Sequence, residues 1–204
     1  MKSVAKADNI SLTRFSIQAL IALACLLVSL SQVSAATRQP IDPELRKVLM
    51  EAANSSDSFS DRFEAEVWLH DMSNRLTRYI PEPEDRILFL KNVHYEAKRA
   101  DLPPELVLSV IHVESAFNQW AISSVGAQGL MQVMPFWLKE IGHDGDSLFD
   151  IKTNLRFGCT ILRHYLDREK GNLTRALARY NGSLGRFKYP NKVFDKLQTR
   201  WFRR

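Results

Sequence analysis

Apolar residues in this chain recur every three or four positions, in runs separated by Pro, Gly and Asn, and no stretch alternates long enough to build a sheet. That spacing limits the chain to an all-α, or nearly all-α, fold. Asp42-Pro43-Glu44 reads as a helix start, with Asp at the N-cap, Pro at the first helical position and an acid in the first turn. Asn54 to Ser58 interrupts that helix. A longer one is expected on Phe59, Phe63 and Val67, with Leu69, Met72, Leu76 and Tyr79 taking over its apolar face before Pro81-Glu82-Pro83 stops it. Ile87, Leu90, Val93, His94 and Ala97 pattern the next helix, which ends before Pro103-Pro104. Ala121 to Gly129 is small and polar and reads as loop. Asp150 and Asn172 are N-caps for two further helices, and Asn181-Gly182 closes the second with a left-handed turn.

The first 35 residues differ from the rest. Lys2, Lys6 and Arg14 precede an apolar run from Phe15 to about Val33, and Val33-Ser34-Ala35 fits a signal-peptidase site. An exported protein is therefore expected, facing the periplasm or the cell wall. An uncleaved N-terminal anchor is the alternative, and a lipoprotein through Cys25 fits poorly because Ala22-Leu23-Ala24 makes a weak lipobox. Cleavage leaves no stable membrane anchor. It removes three of the 28 basic and one of the 23 acidic residues, for a mature net charge of +3. That charge suits an anionic wall or plain solubility, and no basic block interleaved with aromatics points to nucleic acid. Cys159 is then the sole cysteine, so a hydrophobic core and not a disulfide must hold the fold.

One residue stands against the pattern. In the helix from Pro104, Val107, Val110 and Ile111 mark a buried stripe, Glu114 falls on it at i+7 from Val107, and Ser109 and His112 point the other way. A carboxyl on an apolar stripe finds a cation, reaches solvent from the helix end, or stays protonated. A protonated carboxyl near neutral pH is what glycosidic-bond cleavage requires. His112 is a general base by type only. There is no GxSxG, HExxH or paired CxxC, so no metal or other cofactor is expected.

Glu114-Ser115, Gly129-Leu130-Met131-Gln132 with Val133-Met134-Pro135, Asn154-Leu155 with Gly158 and Tyr165-Leu166, and Ala178-Arg179-Tyr180-Asn181 occur in that order. Together they resemble the four motifs of the soluble lytic murein transglycosylases, across about residues 90–195. The resemblance implies a goose-type-lysozyme-like helical domain over residues 91–204, with an N-terminal helical extension over 36–90 and the signal peptide over 1–35. A minimal hairpin near Gly126–Gln132 is part of that expectation. The resemblance also implies Glu114 as the sole catalytic acid/base, cutting peptidoglycan glycan strands between N-acetylmuramic acid and N-acetylglucosamine with closure of a 1,6-anhydro ring.

Ser115, Met131, Gln132, Tyr180 and Asn181 are the expected substrate-binding residues, with Tyr180 orienting Glu114 or the substrate acetamido group. Each has a plainer role open to it: loop hydrogen bonding, capping or core packing. Cys159 is expected to be inert in the core. Trp120, Phe136 and Trp137 are either sugar platforms or core cover. After Asn181 the chain reads Gly-Ser-Leu-Gly, a departure from the commoner Ala-Gly-x-Gly, and Phe136-Trp137 replaces small residues. A lysozyme-type hydrolase and a non-catalytic wall-binding module are the alternatives. Asp144, Asp146 and Asp150 are the acids to suspect if a second carboxylate is needed.

Overall fold

A computed structural model describes residues 58–59 and 61–202, all within the compact unit Ile41–Arg204. The expected signal peptide and the helix from Asp42 lie outside the described residues. Among the described residues seven α-helices follow one another: α1 (Arg62–Leu76), α2 (Pro83–Arg99), α3 (Pro104–Glu114), α4 (Phe136–Ile141), α5 (Ile151–Arg168), α6 (Leu173–Tyr180) and α7 (Lys188–Lys196). A π-helical turn, Leu197–Trp201, continues directly from α7. The expected all-α class holds. In place of the expected hairpin there are two isolated bridges, Ile122 with Gln128 and Gln128 with Val133.

The caps explain most of the boundaries. Asp61 accepts from the Glu64 amide at 2.8 Å, Asp150 from Thr153 at 2.8 Å and Asn172 from Arg175 at 3.1 Å. Pro83 and Pro104 open α2 and α3 at positions where a missing N–H removes no helical bond. Past α6, Gly182 is left-handed, and the amides of Gly182 and Ser183 bond back to the carbonyls of Arg179 and Ala178 at 2.9 and 2.7 Å, a Schellman closure.

The apolar face of α1 differs from the expected one. Because Asp61 caps the helix, Phe59 lies before it, and the buried stripe is Ala65, Trp68, Leu69, Met72 and Leu76. Phe63 and Val67 sit on the outer side, 76% and 41% exposed. One core runs from Trp68 through Leu90, Ile111, Leu155, Leu177 and Val193 to Trp201. It draws on α1 and α2 as well as on the later helices, and the expected boundary at residue 90 falls inside α2.

Two buried charges lock this core. Arg86 donates to the Ser73 hydroxyl at 3.0 Å and to the carbonyls of Ile80 and Pro81, fixing the α1–α2 corner. Glu96 holds Arg99 at 2.5 Å and Arg156 at 3.6 Å, joining α2 to α5. Cys159 is fully buried, and burial pushes its thiol far above the usual range, so it is inert.

α3 is enclosed on nearly all sides, with α2, α7 and the π turn packed around it. Leu106 through Ile111 are all buried, Ser109 included, and the Ser109 hydroxyl folds back onto the Glu105 carbonyl at 2.7 Å. The expected two-faced helix is thus corrected. Its supposed outer side is covered by the chain's own C-terminal turn.

The long loop between α3 and α4 is held by Asn154 of α5. This buried amide donates to the carbonyls of Gln128 and Leu148 at 2.9 and 2.7 Å and accepts from the Met131 amide at 2.8 Å. Gly129, left-handed at φ +75°, has no space for a Cβ, which would lie 2.2 Å from the Leu148 carbonyl oxygen. Asn154→Ala would orphan two buried backbone groups, the Leu148 carbonyl and the Met131 amide, so unfolding free energy should fall by roughly 2–4 kcal/mol. Urea denaturation reads this, and an unchanged midpoint would mean the loop is held by something else.

Candidate active site

Since α3 is buried to its last turn, its end is where a side chain can leave the core, and Glu114 occupies that end. Its carboxyl is mostly buried, and no salt bridge among the described residues reaches it. The Tyr189 hydroxyl donates to Oε1 at 2.6 Å. Burial raises the Glu114 pKa from 4.5 to about 7, and the Tyr189 hydrogen bond pulls it partly back. The negative end of the α3 dipole also disfavours an anion there. A carboxyl in this state gives and takes a proton near neutral pH with little driving force lost either way.

Directly after α3 the chain turns through two left-handed non-glycine residues, Ala116 at φ +49° and Phe117 at φ +68°. Such residues cost on the order of 1 kcal/mol each and persist only where surroundings impose them. Here the Phe117 ring is buried against Tyr79, Phe89, His112 and Trp201, with centroids 4.7 to 6.0 Å away. The Trp201 indole N–H donates to His112 Nδ1 at 3.2 Å. Nε2 therefore carries the proton and donates to the Tyr79 hydroxyl at 2.9 Å. Burial, reinforced by Lys196, Arg78 and Arg200, lowers the His112 pKa to about 4. His112 is a neutral bracket joining α3 to the C-terminal turn, not the outward side chain expected from its helical phase.

An open cleft of about 330 Å³ adjoins Glu114. α3 contributes Val113 and Glu114, the turn after α6 contributes Asn181 and Ser183, and Arg186, Lys188, Tyr189 and Lys192 form the far side. Among the described residues Glu114 is the only acid lining it. Asp150 is the α5 cap, Asp146 accepts from the His143 amide at 2.9 Å, and Asp144 is exposed, so none of the three lines this cleft.

The other expected site residues are distributed unevenly. Asn181 lines the cleft. The Ser115 hydroxyl donates to the Leu130 carbonyl at 2.8 Å and shares a longer contact with Ile111, tying the end of α3 to the loop. Gln132, left-handed at φ +50°, spends its amide N–H groups on the carbonyls of Gly129 and Ala121 at 2.9 and 3.2 Å.

Met131 is fully buried and packs onto Gly158, where an added Cβ would lie 2.4 Å from its sulfur. The Tyr180 hydroxyl donates to the Met131 carbonyl at 2.7 Å and makes no bond to the Glu114 carboxyl. Tyr189, which the sequence reading passed over, makes that bond. The signal was present: Tyr189 and Val193 form an i, i+4 apolar pair on α7, and a buried tyrosine hydroxyl needs a partner. Trp120 and Phe136 are 67% and 51% exposed, whereas Trp137 packs against the core. Among the described residues no group of His, Cys, Asp and Glu could hold a metal ion.

The family model described as "Transglycosylase SLT domain" matches residues 91–201, over half the chain, and the chain belongs to that family. It is 36% identical over 104 residues to the transglycosylase of Enterobacteria phage PRD1, covering 48% of this chain and 38% of that protein. Over 94 residues it is 32% identical to the soluble lytic murein transglycosylase of Escherichia coli, covering 42% of this chain and 15% of that one. A 47-residue stretch, 23% of the chain, is 49% identical to membrane-bound lytic murein transglycosylase C of Actinobacillus pleuropneumoniae, 13% of whose length it spans. The chain therefore matches well under half the length of each relative. The solved structure of an inactive mutant of the lytic transglycosylase Slt from Pseudomonas aeruginosa overlays with a TM-score of 0.43 at 23% identity, covering 74% of this chain and 31% of that one.

The pKa of Glu114 makes the site unfavourable for stability at neutral pH. Between its unfolded value of 4.5 and its folded value of about 7 the unfolded state has released the proton and the folded state retains it. The unfolded state then binds fewer protons, so stability falls as pH rises through that window. Glu114→Gln removes this dependence. The stability difference between variant and parent should shift in the variant's favour by about 2–3 kcal/mol from pH 4.5 to pH 7.5. Denaturation at the two pH values measures it; a constant difference would mean an unshifted carboxyl.

Tyr189→Phe removes a hydrogen bond that favours the charged form, so the Glu114 pKa should rise further. An NMR titration of the carboxyl carbon should follow the rise, and a fall or no change would separate Tyr189 from the acid.

Proposed function

We propose that this chain is a peptidoglycan lytic transglycosylase on a lysozyme-like helical fold, with Glu114 as its one acid/base catalyst. The observation that carries the proposal is the buried Glu114 carboxyl, the one acid lining the cleft among the described residues, with its pKa raised by burial to about 7. Most glycosidases pair the acid with a second carboxylate, which activates water or attacks the sugar. With one acid lining the cleft among the described residues, a nucleophile supplied by the substrate completes the reaction. Glu114 protonates the β-1,4 glycosidic oxygen between N-acetylmuramic acid and N-acetylglucosamine, and the substrate acetamido group stabilises the positive centre at C1. The Glu114 carboxylate then takes the proton of the muramic C6 hydroxyl as that oxygen bonds to C1. The acid is restored, a 1,6-anhydro ring closes, and no water is consumed.

The names of the relatives, lytic murein transglycosylases among them, support this chemistry. Asn181 is the expected substrate contact on the cleft wall. Tyr189 positions the Glu114 carboxyl, and Ser115, Gln132 and Tyr180 brace the loop and helix end beside it. Export to a wall-facing compartment is part of the proposal, supported by Lys2, Lys6, Arg14, the apolar run and Val33-Ser34-Ala35. No helix among the described residues is long and apolar enough to cross a membrane.

Digestion of purified peptidoglycan should release muropeptides ending in 1,6-anhydro-N-acetylmuramic acid, each lighter by one water than its hydrolytic counterpart and resistant to borohydride. Glu114→Gln should lower this release by at least about 10²-fold, the low end for loss of a general acid/base, and leave peptidoglycan binding intact. Reducible muramic ends would identify a hydrolase. Undiminished release by the variant would remove Glu114 from the mechanism.

A further inference from the structure

A second cavity, of about 280 Å³, shares no lining residue with the cleft at Glu114. It lies where the turn after α1 meets the C-terminal π turn, and His112 of α3 forms part of its wall. Arg75, Arg78 and Arg200 line it, and among the described residues no carboxylate does. Arg75 is spent on structure: it pairs with Asp71 at 2.7 Å and donates to the carbonyls of Arg200 and Phe202 at 2.7 and 3.1 Å. Arg78 and Arg200 are exposed, and neither has an acidic partner among the described residues. The Arg78 guanidinium sits 4.5 Å from the centroid of the Tyr79 ring and donates to its hydroxyl. After burial, Lys196, Arg78 and Arg200 are what lower the His112 pKa, and only Asp195 opposes them. The cavity is therefore a place of positive potential.

Tyr79 adds a donor that has nothing to donate to. Because the Trp201 indole donates to His112 Nδ1, Nε2 carries the imidazole proton, and the Tyr79 oxygen accepts it at 2.9 Å. Arg78 fills the second lone pair of that oxygen. The phenolic proton is left without an acceptor among the described residues. Two guanidinium forks and one O–H thus line a single cavity with no acid to receive them. A carboxylate brings two oxygens and one charge. A phosphate group brings at least three acceptor oxygens and a charge of about −1.5 to −2 near pH 7, so it can satisfy both guanidiniums and the hydroxyl together. We propose that Arg78, Arg200 and the Tyr79 hydroxyl form a binding site for a phosphate-class oxyanion, which clasps the end of α1 to the C-terminal turn. Bound there, the anion cancels the repulsion between the two guanidiniums and tightens the bracket around His112.

Inorganic phosphate is the first probe, in thermal melts of the full chain read against chloride at matched ionic strength. The melting temperature should climb with phosphate and then level off, by roughly 5 °C once phosphate exceeds its dissociation constant about a hundredfold. Chloride should leave it nearly unchanged. An Arg78→Gln, Arg200→Gln double variant should lose the phosphate response, and because both side chains are exposed it should keep the fold. At neutral pH the Trp201 indole N–H and the Tyr79 ring resonances of the parent should shift along the same saturation curve. Vesicles of phosphatidylglycerol, set against phosphatidylcholine, separate the sources of the phosphate group. Phosphatidylglycerol-dependent sedimentation that the double variant loses identifies a lipid headgroup, and a response to inorganic phosphate alone identifies a soluble anion.

Melts that follow chloride as closely as phosphate, or a phosphate response that survives in the double variant, would overturn the site. A parent that answers neither phosphate nor vesicles would do the same. Resonance shifts that spare Trp201 and Tyr79 and gather around Arg186, Lys188 and Lys192 would also overturn it, and they decide the matter even where the double variant fails to fold. None of these readouts depends on the chemistry at Glu114.

Discussion

A helix enclosed along its whole length cannot display a side chain except at its ends. That constraint governs α3, whose residues from Leu106 to Ile111 are buried beneath α2, α7 and the C-terminal π turn. Glu114 is the point where the helix leaves the core, and its carboxyl inherits a low-dielectric setting on one side and an open cleft on the other. Burial raises its pKa toward neutrality, while the bond from Tyr189 limits the rise and fixes where the proton can go. A solvent-facing glutamate would be a carboxylate at neutral pH, and a fully sealed one could touch no ligand.

The surroundings serve to hold that helix end still. The Ser115 hydroxyl reaches the Leu130 carbonyl, the Tyr180 hydroxyl reaches the Met131 carbonyl, and Asn154 saturates the same loop from below. Three elements distant in sequence thus converge on Leu130 and Met131, adjacent residues of one loop. The strained Ala116-Phe117 turn fits this picture, since burial of the Phe117 ring among Tyr79, His112 and Trp201 favours a backbone conformation that the two residues alone would avoid. His112 belongs to this bracket and stays neutral because a charge there would lose solvation and face Lys196, Arg78 and Arg200.

Read from sequence, Met131 and Tyr180 look like ligand residues because they sit in motifs next to the acid. Their positions show another way for a motif to matter. Met131 fills the space over Gly158, and Tyr180 holds the Met131 backbone, so both act on the loop that carries Leu130 and Met131. Tyr189 has the opposite history. It lies outside the four motifs, yet it is the residue that touches the carboxyl, because α7 packs across α3 and brings position 189 beside position 114.

What the sequence determined by itself was local. The helical class, the caps at Asp150 and Asn172, the closure at Asn181-Gly182 and the oddity of Glu114 all follow from spacing and from backbone groups within a few residues. Those interactions are written in neighbouring letters. The outer burial of α3, the exposure of Phe63 and Val67, the Tyr189 bond and the basic wall of Arg186, Lys188 and Lys192 were decided only by packing. Periodicity can mark a face as apolar, but it carries no record of which distant segment covers it. Tyr189 meets Glu114 across 75 residues of chain, and that meeting depends on how α7 and the final turn settle against a helix already buried on its other sides.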